Sequence, residues 1–485
     1  MSDAIAGLEP EGVWRYFAEI SAIPRCSKNE ERIAEYVLKQ AEELGLEARH
    51  DKIWNTVVEK PASAGREKAP KVCLQGHLDM VCEKNKDVDH DFDQDPIELV
   101  REDNVLRANG TTLGADNGIA VATCLAIMSD DSIEHGPLEF LFTVDEETGL
   151  TGAGSLESGF VESDILLNLD SEDEGVLFVG CAGGKDTTGS WKIDLVNASE
   201  NTSAMRVRVT GLVGGHSGLE IDKGRGNSIK ILGRALTGLH QIGARIAALE
   251  GGNKRNAIPR EAEALVFVPE DVTARAESIA KELQETVRAE LASVDPDVSV
   301  TIEPETGSVE REVLDEDQQE RILKTISGLP HGVIRMSDDI PGLPETSTNV
   351  AVIDTVPGEI RLETSQRSSI ASRMDEIVDT VQSVFELGGA EAVQDSGYPG
   401  WKPNMDSPIL KLARETYREL YGADPEVTAV HAGLECGIIG EKYPGMDMIS
   451  FGPTLEAVHS PDERIYIDSV EKFWNYLLAI LKKVE

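Results

Sequence analysis

Lys71-Val-Cys-Leu-Gln75, Leu138-Glu-Phe-Leu-Phe-Thr-Val144, Ile165-Leu-Leu-Asn-Leu169 and Asp447-Met-Ile-Ser-Phe451 are short, strongly apolar runs, and Gly118–Met128 is an apolar stretch of helical length. With Asn55-Thr-Val-Val-Glu59 they make strands alternating with helices, the pattern of an α/β layered domain with a mostly parallel central sheet. Helices are expected from Pro10 to Glu19 and, from the period of Ile33, Val37 and Ala41, up to Gly45. A closing amphipathic helix is expected over Asp468–Val484.

After Gly184 the texture changes. Ala204–Thr210 alternates like a half-exposed strand, and a helix is expected from Asn227 to about Leu249. Then come a strand at Ala264–Val268, a charged helix over Val272–Leu291 and a strand at Val298–Ile302. A strand pair, Asn349–Ile353 with Glu359–Ser365, and a helix over Ile370–Leu387 complete an α+β module with its own sheet. Gly397-Tyr-Pro-Gly-Trp-Lys-Pro403 looks like a return linker. A chain of 485 residues suggests two or three domains. The economical arrangement is one domain built from both ends, 1–186 and 399–485, interrupted by a second over 187–398.

The formal charge is −42, from 88 acidic and 46 basic residues, so nucleic acid and anionic membrane are poor partners. A solvated surface accounts for the acidic excess, and so would a saline habitat. No apolar run approaches the ~20 residues that span a bilayer. The first ten residues lack a basic segment followed by an apolar one, which argues against a signal peptide and for a cytoplasmic protein. The six cysteines are scattered without a CxxC pair and read as reduced, mostly buried thiols, so any metal would use His and carboxylates.

The residues suited to chemistry sit where the strands end. In Gln75-Gly-His77-Leu-Asp79-Met80 the two side chains point to the same side, so Asp79 can fix the imidazole tautomer and leave the other nitrogen for a metal. A surface His–Asp pair would look the same. Asp116 lies in Asn109-Gly-Thr-Thr-Leu-Gly-Ala-Asp-Asn-Gly118, at the junction of a glycine-rich turn and a helix, where it could face a metal pair or merely cap the helix. Asp145-Glu146-Glu147 closes an apolar strand with three acids that repel one another. A surface turn could hold them; a divalent cation would relieve them, with one glutamate as ligand and its neighbour as general base. Asp170 and His459 follow further strands, and strand ends are where open α/β sheets build sites.

Gly76-His77-Leu-Asp79-Met80, Gly114-Ala-Asp116-Asn-Gly118, Asp145-Glu146-Glu147-Thr-Gly149, Asp170 and His459, in that order and spacing, resemble the di-zinc dipeptidase, aminoacylase and carboxypeptidase family over essentially the whole chain. The Asn109–Gly118 run and His431-Ala-Gly-Leu-Glu-Cys-Gly437 are similar to the forms of its Xaa-His dipeptidase subgroup. The resemblance implies a zinc-peptidase-like catalytic domain interrupted by an α+β lid. It implies two zinc ions per chain, with manganese or cobalt as substitutes. His77 and Asp170 would hold one ion, Glu147 and His459 the other, and Asp116 would bridge them. It also implies a cis peptide after Asp116, Asp79 orienting His77, and Glu146 as base between the attacking water and the leaving amine. His216, in Gly214-Gly-His-Ser-Gly218, would stabilise the oxyanion, although alone it could be an ordinary loop histidine. Asn256 and Arg367 would grip the substrate's backbone and C-terminal carboxylate, and Glu435 its free amino group.

The expected activity is hydrolysis of dipeptides, broad in range and including β-alanyl-histidine. The expected partner is a small peptide, with closure of the lid over it and a homodimer formed through the lid. An N-acyl amino acid deacylase or a carboxypeptidase would keep the same fold and metals, and a requirement for a free substrate N-terminus separates them. A non-enzymatic metal-binding scaffold would have no use for Glu146 beside a complete ligand set.

Overall fold

A computed structural model describes residues 3–485 and divides into two compact units. Among the described residues, the first comprises 3–181, 401–429 and 434–485; the second comprises 182–400 with the short piece Val430–Gly433.

The first unit is built on an eight-stranded sheet, ordered Glu47–His50, Thr56–Lys60, Leu138–Thr143, Val72–His77, Ile165–Asn168, Asp447–Ser450, Val176–Cys181 and Glu426–Val430. The third to the sixth strands of that order are mutually parallel, whereas the pairings outside them with Thr56–Lys60 and Val176–Cys181 are antiparallel. Val72–His77 and Leu138–Thr143 are buried at every position, which explains their apolar runs: a strand covered on both faces has no solvent side on which to alternate. The covering helix Ala115–Ser129 is buried over nearly its whole length. Helix Ala115–Ser129 also packs against helix Glu11–Ile20. Its C-terminal carbonyls are satisfied by the buried Lys60, whose Nζ donates to Ile127, Met128 and Asp130 at 2.9, 3.1 and 3.0 Å.

The register places the parallel strands' C-terminal ends side by side. His77 is opposite Thr143, and Asn168 is opposite both Gln75 and Ser450. Whatever follows those residues is gathered at one sheet edge.

The second unit is an antiparallel sheet covered by the helices Ser228–His240, Thr273–Glu290, Glu316–Gly328 and Ala371–Leu387. Its core is aliphatic, with Trp191 and Phe385 packed edge to face at 6.0 Å. Here the expected long helix from Asn227 to Leu249 is corrected. It stops at His240, the chain turns through Gly243 at φ 86°, and Arg245–Gly251 is a strand paired with Ala262–Pro269. The apolar residues of Ile246-Ala-Ala-Leu249 fit either period, and a single glycine decides between them. The linker bonds within each unit: Trp401 exchanges two backbone hydrogen bonds with Cys181 at 2.9 Å, and Tyr398 pairs with Gly184.

The reading of all six cysteines as reduced is also corrected. Cys26 and Cys82 form a disulfide with a Cα separation of 5.7 Å, while Cys73, Cys124, Cys181 and Cys436 are free and buried. A separation of 56 residues carries no spacing signal; the pair forms because the Cys26 loop runs beside Met80, just past a sheet strand.

Candidate metal centre

Five side chains converge at the sheet edge of the first unit. His77 ends its strand and is 1% exposed. Its Nδ1 faces the Asp79 carbonyl at 3.1 Å and Asp79 Oδ1 at 3.3 Å, so that nitrogen carries the proton and Nε2 is left as a donor atom. Nε2 lies 3.1 Å from Asp116 Oδ1 and 3.4 Å from Asp170 Oδ1. On the other side, His459 Nε2 lies 3.1 Å from Asp116 Oδ2 and 2.8 Å from Glu147 Oε2. Asp116 thus turns one oxygen to each histidine. Ligand atoms of His77, Asp116 and Asp170, and those of Asp116, Glu147 and His459, fall into two groups, each within 4.8 Å.

These residues fit a pair of divalent cations. Three carboxylates share a desolvated space, and Glu147 Oε1 is buried there without a hydrogen-bond partner. Burial, with Asp116 and Glu147 adding to it, pushes the Asp170 carboxyl up to about 6. Asp116 is held below the usual range by hydrogen bonds from His459 and His77 that outweigh its burial. His459 is pushed up to about 11 by its bonds to Asp116 and Glu147. Protons on the imidazoles thus stand in for positive charge that the carboxylates demand, the position a cation would take. Glu30, Asp79 and Asp145 also bring oxygens within 4.8 Å of one another. Their oxygens already accept bonds, from the Asp145 amide, the Ser27 hydroxyl, and the Thr148 and Thr151 hydroxyls respectively.

The carboxylate shared by the two histidines is held by irregular backbone. Gly114, at φ 68°, precedes the helix, and a Cβ there would run into Arg25 Nη2 and Met80 Sδ. Asp116 and Asn117 depart from helical dihedrals, and the peptide between them is cis. Asp116 is therefore not a helix cap, the ordinary reading of an aspartate at such a junction. Asn117 ties the loop to two strands, accepting the His77 amide at 3.2 Å and donating to the Leu169 carbonyl at 2.9 Å.

Glu146 is next to Glu147, and burial pushes its carboxyl well above the usual range, with Asp170, Glu435 and Glu147 acting the same way and His77 against. Glu435 is buried in the same unit. Its Oε2 accepts from Gln75 Nε2 at 2.5 Å and Thr143 Oγ1 at 2.7 Å, and its Oε1 has no partner. Burial raises it to about 7.

The remaining expected residues lie in the second unit. His216 Nδ1 accepts the amides of Gly218 and Leu219 at 3.2 and 3.1 Å, which leaves Nε2–H as a free donor. Burial, then Arg367, lowers its pKa to about 4, so the ring is neutral. The Asn256 carbonyl accepts the Ser217 amide at 2.8 Å, which joins its loop to that of His216. Arg367 is 6% exposed, and its Nη1 donates to Tyr398 Oη at 2.9 Å while Nε is unpaired.

The sequence reading missed two residues that hold this centre. Arg25 is buried and donates to the carbonyls of Leu78 and Asp79 at 3.1 Å and to that of Gly114. Glu463, four residues after His459, accepts amides from the Asp116 loop. Their targets are backbone atoms distant in sequence, which leave no pattern in residue types.

A sheet edge carrying this donor set, interrupted by a second module, defines a metallopeptidase type of site. Residues 73–483 match the peptidase family M20/M25/M40, and the chain belongs to it. It is 40% identical over 481 residues, 99% of both chains, to the cytosol non-specific dipeptidase of Escherichia coli K12. The crystal structure of aminoacylhistidine dipeptidase from Vibrio alginolyticus is similar at a TM-score of 0.91 with 42% identity, covering 99% of this chain and 98% of that one. A tripeptidase from Staphylococcus aureus shares the fold at a TM-score of 0.58 and 19% identity, over 98% and 99% of the two chains.

Proposed function

We propose that this chain is a two-metal dipeptidase that removes an N-terminal residue from Xaa-His and other dipeptides, β-alanyl-histidine among them. The observation that carries this is the division of Asp116 between His77 and His459 at 3.1 Å each, with Glu146 left over as a carboxylate beside the ligand set. Similarity to the Escherichia coli and Vibrio alginolyticus dipeptidases over the whole chain supports the substrate class.

His77 and Asp170 would hold one ion, Glu147 and His459 the other, with Asp116 shared; zinc suits the donors, and manganese or cobalt would substitute. Such ions, when bound, supply Lewis acidity that lowers the pKa of water from ~15.7 towards ~7. Glu146 takes the proton of the attacking water and returns it to the leaving amine nitrogen. Burial raises its carboxyl above the usual range, the direction that suits a base which must both accept and release a proton. His216 is a neutral donor through Nε2–H, suited to the developing oxyanion. Arg367 grips the C-terminal carboxylate, and Asn256 the substrate backbone. The unpaired Oε1 of buried Glu435 receives the substrate's ammonium group, which requires a free N-terminus. A homodimer through the second unit is part of this reading; the exposed Ile334 and Met336 on strand Gly332–Met336 support it.

No helix among the described residues is long and apolar enough to cross a membrane. The test is competition between alanyl-histidine and N-acetyl-histidine. Cleavage of alanyl-histidine alone supports the dipeptidase, and preference for the acetylated compound would move the assignment to a deacylase.

A further inference from the structure

We infer that Glu463 is a positioning residue that sets the pocket formed by Asp116, Glu147 and His459, and so governs metal affinity on that side of the centre. The inference rests on the metal reading above.

Glu463 is 2% exposed. Its Oε2 accepts the amides of Leu113 and Gly114 at 2.7 and 2.9 Å, and its Oε1 those of Ala115 and Asp116 at 2.8 and 3.2 Å. Four consecutive amides converge on one carboxylate. They belong to the irregular turn ahead of the regular part of helix Ala115–Ser129, non-helical at Asp116 and Asn117, where the N–H groups have no helical partner. Turns of this kind are ordinarily held by a neighbouring side chain; this one is held across a sequence separation of 347 to 350 residues.

What that side chain is attached to gives the tie its meaning. Glu463 closes the loop that carries His459. That loop is compact: the Glu463 amide donates to the Ser460 carbonyl at 3.0 Å, the Asp462 amide to Ser460 Oγ at 3.2 Å, and Ser460 Oγ to the Ala457 carbonyl at 2.7 Å. His459 itself sits at φ 62°, a backbone state that its surroundings must impose. The Asp116 turn and the loop carrying His459 are therefore joined at two points, by His459 Nε2 to Asp116 Oδ2 at 3.1 Å and by the Asp116 amide to Glu463 Oε1 at 3.2 Å. The other side is tied differently, by Asn117 between the His77 amide and the Leu169 carbonyl. Removing the Glu463 clamp leaves the His459 loop joined to the Asp116 turn by its imidazole alone, with the Asn117 tie still in place.

The experiment is metal titration of the apoprotein, with zinc by calorimetry and cobalt by visible absorption, on wild type, Glu463→Gln, His459→Ala and their double variant. A glutamine has the same shape but only one acceptor oxygen, and its amide group would point at two amide donors. Expected are two cobalt sites in wild type and a loss of about tenfold to a hundredfold in one site of Glu463→Gln, the range for partners that orient ligands. The remaining site of His459→Ala should lose no further affinity on adding Glu463→Gln. Glu139→Gln is the control for a merely structural role, since Glu139 is another buried carboxylate of this unit, bonded to the amides of Glu162 and Ser163.

Unchanged affinities in Glu463→Gln, equal loss at both sites, or the same loss in Glu139→Gln would overturn the inference. Fewer than two sites in wild type would instead overturn the metal reading and the inference with it. If Glu463→Gln does not fold, Glu463→Asp, which keeps the charge and withdraws it by one methylene, is read in the same way.

Discussion

The Glu146 amide donates to Asp79 Oδ1 at 3.0 Å, so the carboxylate that orients His77 also fixes the backbone of the proposed base. Asp79 further accepts the Glu147 amide at 3.2 Å and the Ser27 hydroxyl at 2.8 Å; against its burial, His77 first and then the Glu146 amide and Ser27 hold its carboxyl below the usual range. Asp79→Asn would turn an N–H group toward these donors. It should weaken metal binding by about tenfold to a hundredfold, checked by chelator competition, while far-ultraviolet dichroism stays unchanged.

Glu435 should discriminate substrates by their N-terminus. Glu435→Gln removes the charge but keeps an acceptor and fits the same space, so KM for alanyl-histidine should rise by about tenfold to a hundredfold, the loss of one charge-assisted bond. Steady-state kinetics on dipeptides of different C-terminal residues should show the same factor throughout.

Arg367 should act at the opposite end. Arg367→Ala should raise KM for dipeptides by about tenfold or more and leave dipeptide amides, which carry no carboxylate, nearly unaffected. Comparing alanyl-histidine with its amide checks this; an equal loss on both would assign Arg367 a structural role through Tyr398.

The second unit should lose stability in acid. His431 is lowered to about 3 by burial and then by Arg367, with Asp222 opposing and His216 assisting. His216 and His331 are lowered to about 4, again mainly by burial. Between pH ~6.5, the ordinary histidine value, and these folded values the unfolded chain binds protons that the folded one does not. Stability is therefore complete above pH ~6.5 and falls as the pH drops towards 4. His431→Gln, which keeps a partner for Ser347 Oγ, should flatten that decline in urea denaturation followed by far-ultraviolet dichroism.

Most of the side chains that converge at the sheet edge were conspicuous in the sequence because they follow apolar strands; Asp116, in a glycine-rich turn ahead of an apolar helix, is the exception. A strand buried on both faces must be apolar, so polar residues at its end, such as His77 after Val72-Cys-Leu, stand out. The helix boundary at His240 was not legible, because Ile246-Ala-Ala-Leu249 suits two periods and only Gly243 separates them. The Cys26–Cys82 pair and the supports from Arg25 and Glu463 depend on which loops the fold brings together. Cysteine spacing and residue type hold no trace of that.

The most direct test of the two-metal dipeptidase is zinc readdition to chelated protein, wild type beside Glu146→Ala, with metal content and β-alanyl-histidine hydrolysis measured on the same samples. The account predicts two zinc ions per chain in both, with activity restored in wild type and lower by about a hundredfold to ten-thousandfold in the variant. Full hydrolysis by chelated protein, or undiminished turnover by Glu146→Ala, would contradict it.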